Sequence, residues 1–344
     1  MKGVRKGKIM NYATIGTGWI VDTFIDSAAV LAPELHCRGV YSRDYNRGLE
    51  FGAGHGISRV YTDLQQMAED RELDGVYIAS PNVFHYKQAA YLMDHGKHVL
   101  CEKTSVVTAE QLRLLYEKGK RNHCIFLEAV KGIYTPEIKR VKGALERLGE
   151  IHLALFDYSK YSSKYDSYAA GQTPNIFNPA MAAGGLMDMG IYNVYPAVYL
   201  FGIPEEIDAR ASFLRTGADA AGAQILKYPD KTVVLSYSKS ASSSHDAVIM
   251  GTKGTLHIDS METMGRIWIQ WQNGRTEAVG ERSRKIPVMG YEAECFYQMA
   301  VCGSEDDNSR HYGELQELGI SVMETMEMIR EKAGIRFPET CYEI

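Results

Sequence analysis

The chain has 344 residues, 45% of them hydrophobic and 24% charged, which is typical of a globular protein. At about 100–200 residues a domain, this length predicts two domains. The net charge of −5 argues against a nucleic-acid-binding protein. No run of about 18 apolar residues occurs in the sequence, which argues against a membrane-spanning protein.

The cysteines and histidines follow no metal-binding or disulfide pattern. The six cysteines are scattered without a CxxC pair, and the ten histidines form no HExxH spacing. No secretory signal is visible at the start of the sequence. We therefore expect a cytoplasmic protein with reduced thiols and without a metal.

Residues 9–130 alternate short apolar runs with helix-like segments. The predicted strands are residues 12–16, 37–42, 59–61, 75–80, 98–102 and 124–129. Helices between successive strands are typical of a parallel sheet that is covered on both faces. This part of the chain is predicted to be a doubly wound, Rossmann-type domain.

The pattern changes after residue 130. A helix is predicted at 136–148, and helices at 291–302 and 311–333 close the chain. Between them come longer alternating strands, predicted at residues 150–160, 207–214, 223–228, 232–238, 247–251, 255–259 and 266–271. Tight turns between consecutive strands predict a second α/β domain, residues 131–344, with a large, mostly antiparallel open sheet.

The first predicted strand runs into a glycine turn. Gly16 would permit the turn, and Gly18 would let the backbone approach a pyrophosphate. Trp19 and Ile20 open a helix whose N-terminus supplies amide donors. Because Val21 replaces the third glycine of the dinucleotide motif, the string alone is also compatible with a purely structural turn.

The end of the second predicted strand bears on the choice of nucleotide. Ser42 stands where an acidic residue would select NAD, and Arg43 follows it. A hydroxyl and a guanidinium suit a 2′-phosphate, so we expect NADP, with NAD still possible. A surface arginine beside a helix that Asp44 caps is the alternative.

Polar residues also follow the fourth predicted strand, in the order Ser80, Pro81, Asn82 and then His85. Ligands of doubly wound sheets bind outside the carboxyl ends of strands near the point where the strand order reverses. These residues are therefore candidates for cofactor contact. A plain turn followed by a structural histidine explains them equally well.

Two further segments carry candidate catalytic groups. Glu102 and Lys103 end the fifth predicted strand, where a lysine could orient a substrate hydroxyl and lower the pKa of a neighbouring acid. Asp188 and Tyr192 are four residues apart, which places them on one face of a helix. A tyrosine with a pKa near 10 needs such help to act as a base. The alternatives are a surface ion pair between Glu102 and Lys103 and a structural tyrosine at the edge of the core.

Four segments together resemble the Gfo/Idh/MocA oxidoreductase family: IGTGWI at 15–20, IASPNVFH at 78–85, GKHVLCEK at 96–103 and GGLMDMGIY at 184–192. The resemblance covers nearly the whole chain after about Lys8. It implies a Rossmann domain, a second α/β domain whose open sheet often mediates dimerisation, NAD(P), and a sugar, polyol or diol substrate. Tyr192 stands where many members have histidine. The subgroup similar to dimeric dihydrodiol dehydrogenases has tyrosine there and is associated with NADP.

The resemblance also implies roles for individual residues. Lys103 corresponds to the motif lysine, and Thr104 replaces the proline after it, which predicts a looser loop. We expect Tyr192 to exchange a proton with the substrate oxygen, Lys103 to stabilise the tyrosinate, and Asp188 to orient the substrate or the helix face. Parts of residues 158–168 and 172–179 are expected to wall the substrate pocket.

The expected protein is thus an NAD(P)-dependent dehydrogenase or reductase that acts on CH–OH groups and forms a homodimer through its C-terminal sheet. Its partner is a small-molecule substrate rather than a nucleic acid or a membrane. Two other functions are compatible with the same fold: a non-catalytic NAD(P)-sensing regulator, and a cofactor-retaining glycosidase.

Overall fold

The computed structural model of the protein describes residues 7–302 and 306–344, which form two sheets with helices packed against them. The strands of the first sheet end before residue 130, and those of the second begin after residue 150. Within the described residues, no helix is both long and apolar enough to cross a membrane.

The first sheet is built from alternating strands and helices. These are β1 Met10–Ile15, α1 Trp19–Leu31, β2 Leu35–Tyr41, α2 Tyr45–Gly54, β3 Arg59–Tyr61, α3 Leu64–Glu69, β4 Gly75–Ile78, α4 His85–Asp94, β5 His98–Glu102, α5 Ala109–Asn122 and β6 Phe126–Ala129. All six strands are parallel, in the order β3-β2-β1-β4-β5-β6. The strand order therefore reverses between β1 and β4, as the doubly wound prediction requires.

The second sheet follows two short helices and is mostly antiparallel. Its elements are α6 Lys131–Tyr134, α7 Pro136–Ala144, β7 Ile151–Ser159, α8 Tyr165–Ala169, α9 Ile191–Phe201, β8 Glu206–Phe213, β9 Asp219–Lys227, β10 Thr232–Ser238, β11 Ala247–Gly251, β12 Gly254–Ile258, β13 Arg266–Trp271 and β14 Thr276–Glu281. The strand order is β14-β13-β12-β11-β7-β10-β9-β8, and β7 and β10 form the one parallel pair of this sheet.

Some boundaries differ from those expected, for local reasons. The helix predicted at 136–148 ends at Ala144 and continues as a 3-10 turn over Leu145–Leu148. The last strand, Thr276–Glu281, was not predicted because it alternates polar and small residues at the edge of the sheet. The strand predicted from residue 223 begins at Asp219, in a stretch of alanine and glycine that carries little β-propensity.

A turn of π-helix, Leu186–Gly190, leads into α9. It lies close to the second sheet, because a Cβ added to Gly185 would come within 2.6 Å of the Tyr237 ring. The carboxylate of Asp219 accepts hydrogen bonds from the Leu186 amide and the Tyr237 hydroxyl, both at 2.6 Å. This buried carboxylate therefore fixes the segment that carries Asp188.

Of the last two helices, α10 Val288–Cys302 packs against α1 beside the first sheet, whereas α11 Asp306–Ala333 packs against β8 and α9 of the second half and α5 of the first. Phe296 of α10 shares a buried apolar cluster with Phe24 of α1 and Tyr77 of β4, whose rings stack 3.8 Å apart. A helix late in the chain thus covers one face of the N-terminal sheet. The domain division at residue 130 stays a prediction.

Helix α10 also brings a buried acid beneath the edge of the first sheet. Glu292 has no exposed surface, and neither of its carboxylate oxygens has a hydrogen-bond partner within the described residues. Burial raises the pKa of Glu292 well above its usual value, and the Glu102 carboxylate adds to this rise while Lys131 opposes it. The side chain is therefore protonated in the folded protein near neutral pH.

A buried, protonated Glu292 makes the stability depend on pH in a defined direction. The unfolded chain loses this proton above about pH 4.3, whereas the folded protein keeps it, so the contribution of Glu292 to stability declines as pH rises. We expect Glu292→Gln to raise the Tm by a few degrees at pH 8, with a smaller gain at pH 5. Thermal unfolding at both pH values measures this, with the exposed Glu317→Gln as control. Equal gains at both pH values would contradict the account.

Candidate active site

A cleft of about 740 Å³ lies where strands of the first sheet end, and residues after the strands of the second sheet form its other wall. It is lined by eleven of the predicted site residues: Gly18, Trp19, Ile20, Ser80, Pro81, Asn82, His85, Glu102, Lys103, Asp188 and Tyr192. Another cleft, of about 790 Å³, lies near the amino ends of β5 and β6 and contains none of them. The chemistry is therefore concentrated in the first cleft.

The glycine turn after β1 has the geometry of an anion site. Gly16 has a φ of +119°, and a Cβ there would stand 3.0 Å from the Ala79 carbonyl oxygen. Gly18 caps α1 without a side chain, and a Cβ added to it would meet nothing within 4 Å. No side chain caps this 13-residue helix, and its first residues line the cleft, as binding of a nucleotide pyrophosphate requires. Trp19 beside them is 72% exposed.

The end of β2 lies outside the cleft. Ser42 is buried, and its hydroxyl accepts a hydrogen bond from the Asp44 amide at 3.3 Å. The Asp44 side chain caps α2 by accepting from the Arg47 amide, while Arg43 is exposed. The helix-cap alternative is therefore correct for Asp44. It leaves the Arg43 guanidinium free to reach a ligand, one strand away from β1.

The residues after β4 connect the parts of the cleft. The Ser80 hydroxyl donates to Gln88 at 2.6 Å, and the Asn82 amide donates to the Ala182 carbonyl of the C-terminal half at 3.1 Å. His85 lies between the carbonyl oxygens of Ser80 and Thr104, at 2.6 and 3.0 Å. Burial lowers the pKa of His85 to about 4, so the neutral ring donates to one of the two carbonyls at a time.

The loop after β5 is firmly anchored. Glu102 accepts a hydrogen bond from the Tyr77 hydroxyl at 2.5 Å, and its ion pair with the neighbouring lysine, one of the alternatives, does not form. The looser loop expected at Thr104 is wrong: Thr104 is fully buried, and its hydroxyl donates to the Met187 carbonyl at 2.7 Å. This bond ties the loop that carries Lys103 to the turn that carries Asp188.

Asp188 is held between two lysines. The Lys103 ammonium donates to the Asp188 carbonyl at 2.8 Å and to its Oδ1 at 2.6 Å. The Lys239 ammonium binds the other carboxylate oxygen, Oδ2. Although burial alone would raise the pKa of Asp188, the two ammonium groups lower it well below its usual value. Asp188 is therefore a permanent carboxylate and not an acid that donates protons near neutral pH.

Tyr192 faces the same group of charges. The Lys103 ammonium lies 4.8 Å and the Lys131 ammonium 5.9 Å from the centre of its ring. Tyr192 lines the cleft, and its hydroxyl forms no hydrogen bond with any described residue. Burial raises the pKa of Tyr192 well above 10, and Glu102 and Glu262 add to this rise. The pKa of Tyr192 is therefore not lowered overall, contrary to the expectation from Lys103, because burial and the two carboxylates outweigh the neighbouring ammonium groups, and the phenol is protonated.

Sequence reasoning missed three ionisable residues of the cleft. Lys131 and Lys239 follow the ends of β6 and β10, and Glu262 follows β12. Lys131 donates to Glu262 at 2.6 Å, and Tyr158 donates to the other oxygen of Glu262 at 2.5 Å. The end of β6 could have been inspected like the ends of β1, β2, β4 and β5, and this would have found Lys131. The other two depend on how the second sheet meets the first, which local patterns do not indicate.

Parts of both segments expected to wall the pocket do line the cleft, including Tyr158 and Asn175. Across residues 7–302 and 306–344, no group of three or more His, Cys, Asp or Glu side chains is arranged to hold a metal ion. The chemistry of the cleft is thus that of lysines, carboxylates and tyrosine hydroxyls beside a helix N-terminus.

Comparison with known proteins agrees with this geometry. The model of the oxidoreductase family with an NAD-binding Rossmann fold, Gfo/Idh/MocA, matches residues 10–130, and the C-terminal-domain model of the same family matches residues 139–257. The chain is 36% identical to the Bacillus subtilis (strain 168) protein named scyllo-inositol 2-dehydrogenase (NADP(+)) IolU, over 96% of this chain and 99% of that protein.

More distant relatives share the whole architecture. Trans-1,2-dihydrobenzene-1,2-diol dehydrogenase of Mus musculus is 25% identical over 96% of this chain and 98% of its own. The solved structure of KijD10, a 3-ketoreductase from Actinomadura kijaniata in complex with NADP and TDP-benzene, has a TM-score of 0.83. The match covers 94% of this chain and 98% of that one. At 18% identity, it shows that the two proteins share a fold. Together with the two matching family models, these similarities show that the chain belongs to the Gfo/Idh/MocA family and is an NAD(P)-binding oxidoreductase.

Proposed function

We propose that this protein is an NADP-dependent dehydrogenase or reductase that interconverts a secondary alcohol and a ketone on a polyol, sugar or diol. The observation that carries the proposal is that Lys103, Asp188 and Tyr192 share one cleft with the uncapped helix N-terminus at Gly18. When bound, the nicotinamide supplies or accepts the hydride, and the residues of the cleft handle the proton and hold the substrate.

Tyr192 is the proton-exchanging group in this proposal. Because its pKa is raised, the phenol carries its proton and is ready to donate it to the oxygen of a ketone during reduction. In the oxidative direction, the substrate hydroxyl gives its proton to the Tyr192 phenolate as the carbonyl forms. The ammonium groups of Lys103 and Lys131 beside the ring would stabilise the phenolate that exists between these events.

Asp188 and Lys239 position Lys103. The Asp188 carboxylate forms ion pairs with both ammonium groups. Lys103 can therefore turn toward a substrate oxygen while Lys239 stays paired with Asp188. The Lys239 side chain is only 3% exposed, which makes its own pairing with Asp188 a requirement for stability. Lys239 is thus a positioning residue, whereas Lys103 is a candidate catalytic residue.

Two observations support NADP as the cofactor. The name of the inositol dehydrogenase relative specifies NADP(+), and the similar 3-ketoreductase structure is a complex with NADP. In addition, exposed Arg43 follows β2, the strand beside the one that ends in the glycine turn. A guanidinium at this edge suits the 2′-phosphate.

We also propose a homodimer formed through the second sheet. One face of this sheet presents a row of paired residues from six adjacent strands: Ile225, Val234, Leu155, Val248, His257 and Trp268. Leu155 and Ile225 are 37% and 41% exposed. A row this wide, apolar at five of its six positions, suits a second copy of the same face. A cytoplasmic location completes the proposal, supported by six free cysteines.

Removing the Tyr192 hydroxyl tests the proton-transfer role. We expect Tyr192→Phe to lower kcat by roughly 10²–10⁴ with little change in the Kd for NADPH, because general acid–base catalysis contributes about this much. Steady-state kinetics with a polyol and ketose panel, together with NADPH fluorescence titration, measure both quantities. The exposed Tyr45→Phe is the matched control. Near-full activity of Tyr192→Phe would reject the assignment.

The Arg43 contact is tested by cofactor preference. Arg43→Ala should raise the Kd for NADPH about tenfold and leave that for NADH unchanged, because only NADPH carries the 2′-phosphate. Arg71→Ala, another exposed arginine, serves as control. An equal effect on both nucleotides would exclude this role for Arg43.

The dimer is tested by placing a charge in the apolar row. Leu155→Asp should convert a dimer into a monomer in light scattering after gel filtration, because an unpaired carboxylate is costly to bury. Ile203→Asp introduces the same charge at an exposed apolar residue outside the row. A wild-type protein that is monomeric at micromolar concentration would end the dimer proposal.

A further inference from the structure

Two of the lysines that line the cleft form no ion pair with its carboxylates. Lys160 and Lys164 line its wall in the segment that follows β7. Strands β7 and β10 run parallel, so both end at this wall, and the Lys160 amide donates to the Ser238 carbonyl at 2.9 Å. The Ser162 amide in turn donates to the Lys239 carbonyl at 2.9 Å. The backbone that carries the two lysines is thus fixed to the end of β10.

The nearby carboxylates are already engaged. Glu262 accepts from Lys131 through one oxygen and from Tyr158 through the other. Asp188 likewise accepts from Lys103 through one carboxylate oxygen and from Lys239 through the other. Within the described part of the chain, Lys160 and Lys164 form no ion pair with any acidic side chain. Both lysines are exposed, and Lys160 acts on Glu262 only through a longer-range attraction that lowers the pKa of this acid, so both ammonium groups are available to a ligand.

The overall charge of the cleft also favours an anionic ligand. Five lysines and three acidic residues line it, an excess of two positive charges. Burial raises the pKa of Glu102, one of the three acids, and this reduces the negative charge of the cleft further. A concave wall with unpaired cations raises the local concentration of anions.

We propose that the wall formed by Lys160 and Lys164 binds an oxyanion, a carboxylate or a phosphate, carried by the substrate. The substrate is then an acidic polyol or sugar instead of a neutral one. Ser163, which also lines the cleft between the two lysines in sequence, offers a hydroxyl to the same group. This inference rests on the proposed function, because it names the substrate class of the same cleft.

The anion belongs to the substrate and not to the nucleotide for a topological reason. Both lysines follow a strand of the second sheet, whereas the glycine turn and Arg43 follow strands of the first. The catalytic candidates lie between the two halves, since Lys103 comes from the first sheet and Tyr192 from the helix packed on the second. A substrate reaching from Tyr192 toward β7 would place its acidic end at these lysines.

The test uses the NADP-loaded enzyme and matched pairs of probes: gluconate with sorbitol, glucuronate with glucose, and glucose 6-phosphate with glucose. We expect the acidic member of at least one pair to be turned over with a lower KM, or to inhibit more strongly, than its neutral partner. The carboxylate and phosphate pairs distinguish the two sources of the oxyanion. Lys160→Gln and Lys164→Gln should each raise that KM or Ki about tenfold and leave kcat within about twofold.

The controls separate this inference from the proposed function. Lys332→Gln removes an exposed lysine elsewhere and should change nothing. Titration with NADPH should give the same Kd for wild type and both variants, and a weakened Kd would assign the lysines to the nucleotide instead. Neutral probes that bind or react as well as every acidic partner would overturn the inference while leaving the dehydrogenase proposal intact. Failure to bind NADPH at all would instead contradict the proposed function.

Discussion

The arrangement of the cleft depends on one carboxylate. Asp188 is shared by Lys103, from the end of a strand in the first sheet, and by Lys239, from the end of a strand in the second. Neither ammonium could be held in so enclosed a position without it, because an unpaired buried charge is strongly destabilising. The same ion-pair network sets the distance of Lys103 from the Tyr192 ring. Proton chemistry and domain contact thus rest on the same interaction.

The surrounding structure makes that carboxylate available. Asp188 lies in a π-helical turn, a type of backbone irregularity that is frequent at functional sites. Asp219 anchors the turn from one side, and the buried Thr104 hydroxyl anchors it from the other. His85 extends this support to the turn after β4. Most polar contacts around the cleft therefore position loops, and few groups remain free to act on a ligand.

Local sequence patterns were sufficient for the first sheet and for the residues at its strand ends. Alternation of strands and helices predicts parallel order, and reading the strand ends located Gly18 and Lys103. The same approach could not predict that Lys239 and Glu262 join the cleft, since they follow strands of the second sheet, whose placement against the first depends on tertiary packing. Nor could it predict the raised pKa of Tyr192, which arises from burial among carboxylates. The sequence pattern therefore predicted many of the residues that line the cleft, whereas their charge states could be derived only from the structure.

In the proposed function, the nucleotide site at Gly18 and the proton-transfer group Tyr192 serve one reaction centre. An experimental structure with NADP and a substrate analogue tests this most directly. The account predicts that the reacting carbon lies about 3–3.5 Å from C4 of the nicotinamide, with its oxygen within hydrogen-bonding reach of the Tyr192 hydroxyl and the Lys103 ammonium. A nicotinamide bound away from these two side chains would contradict it.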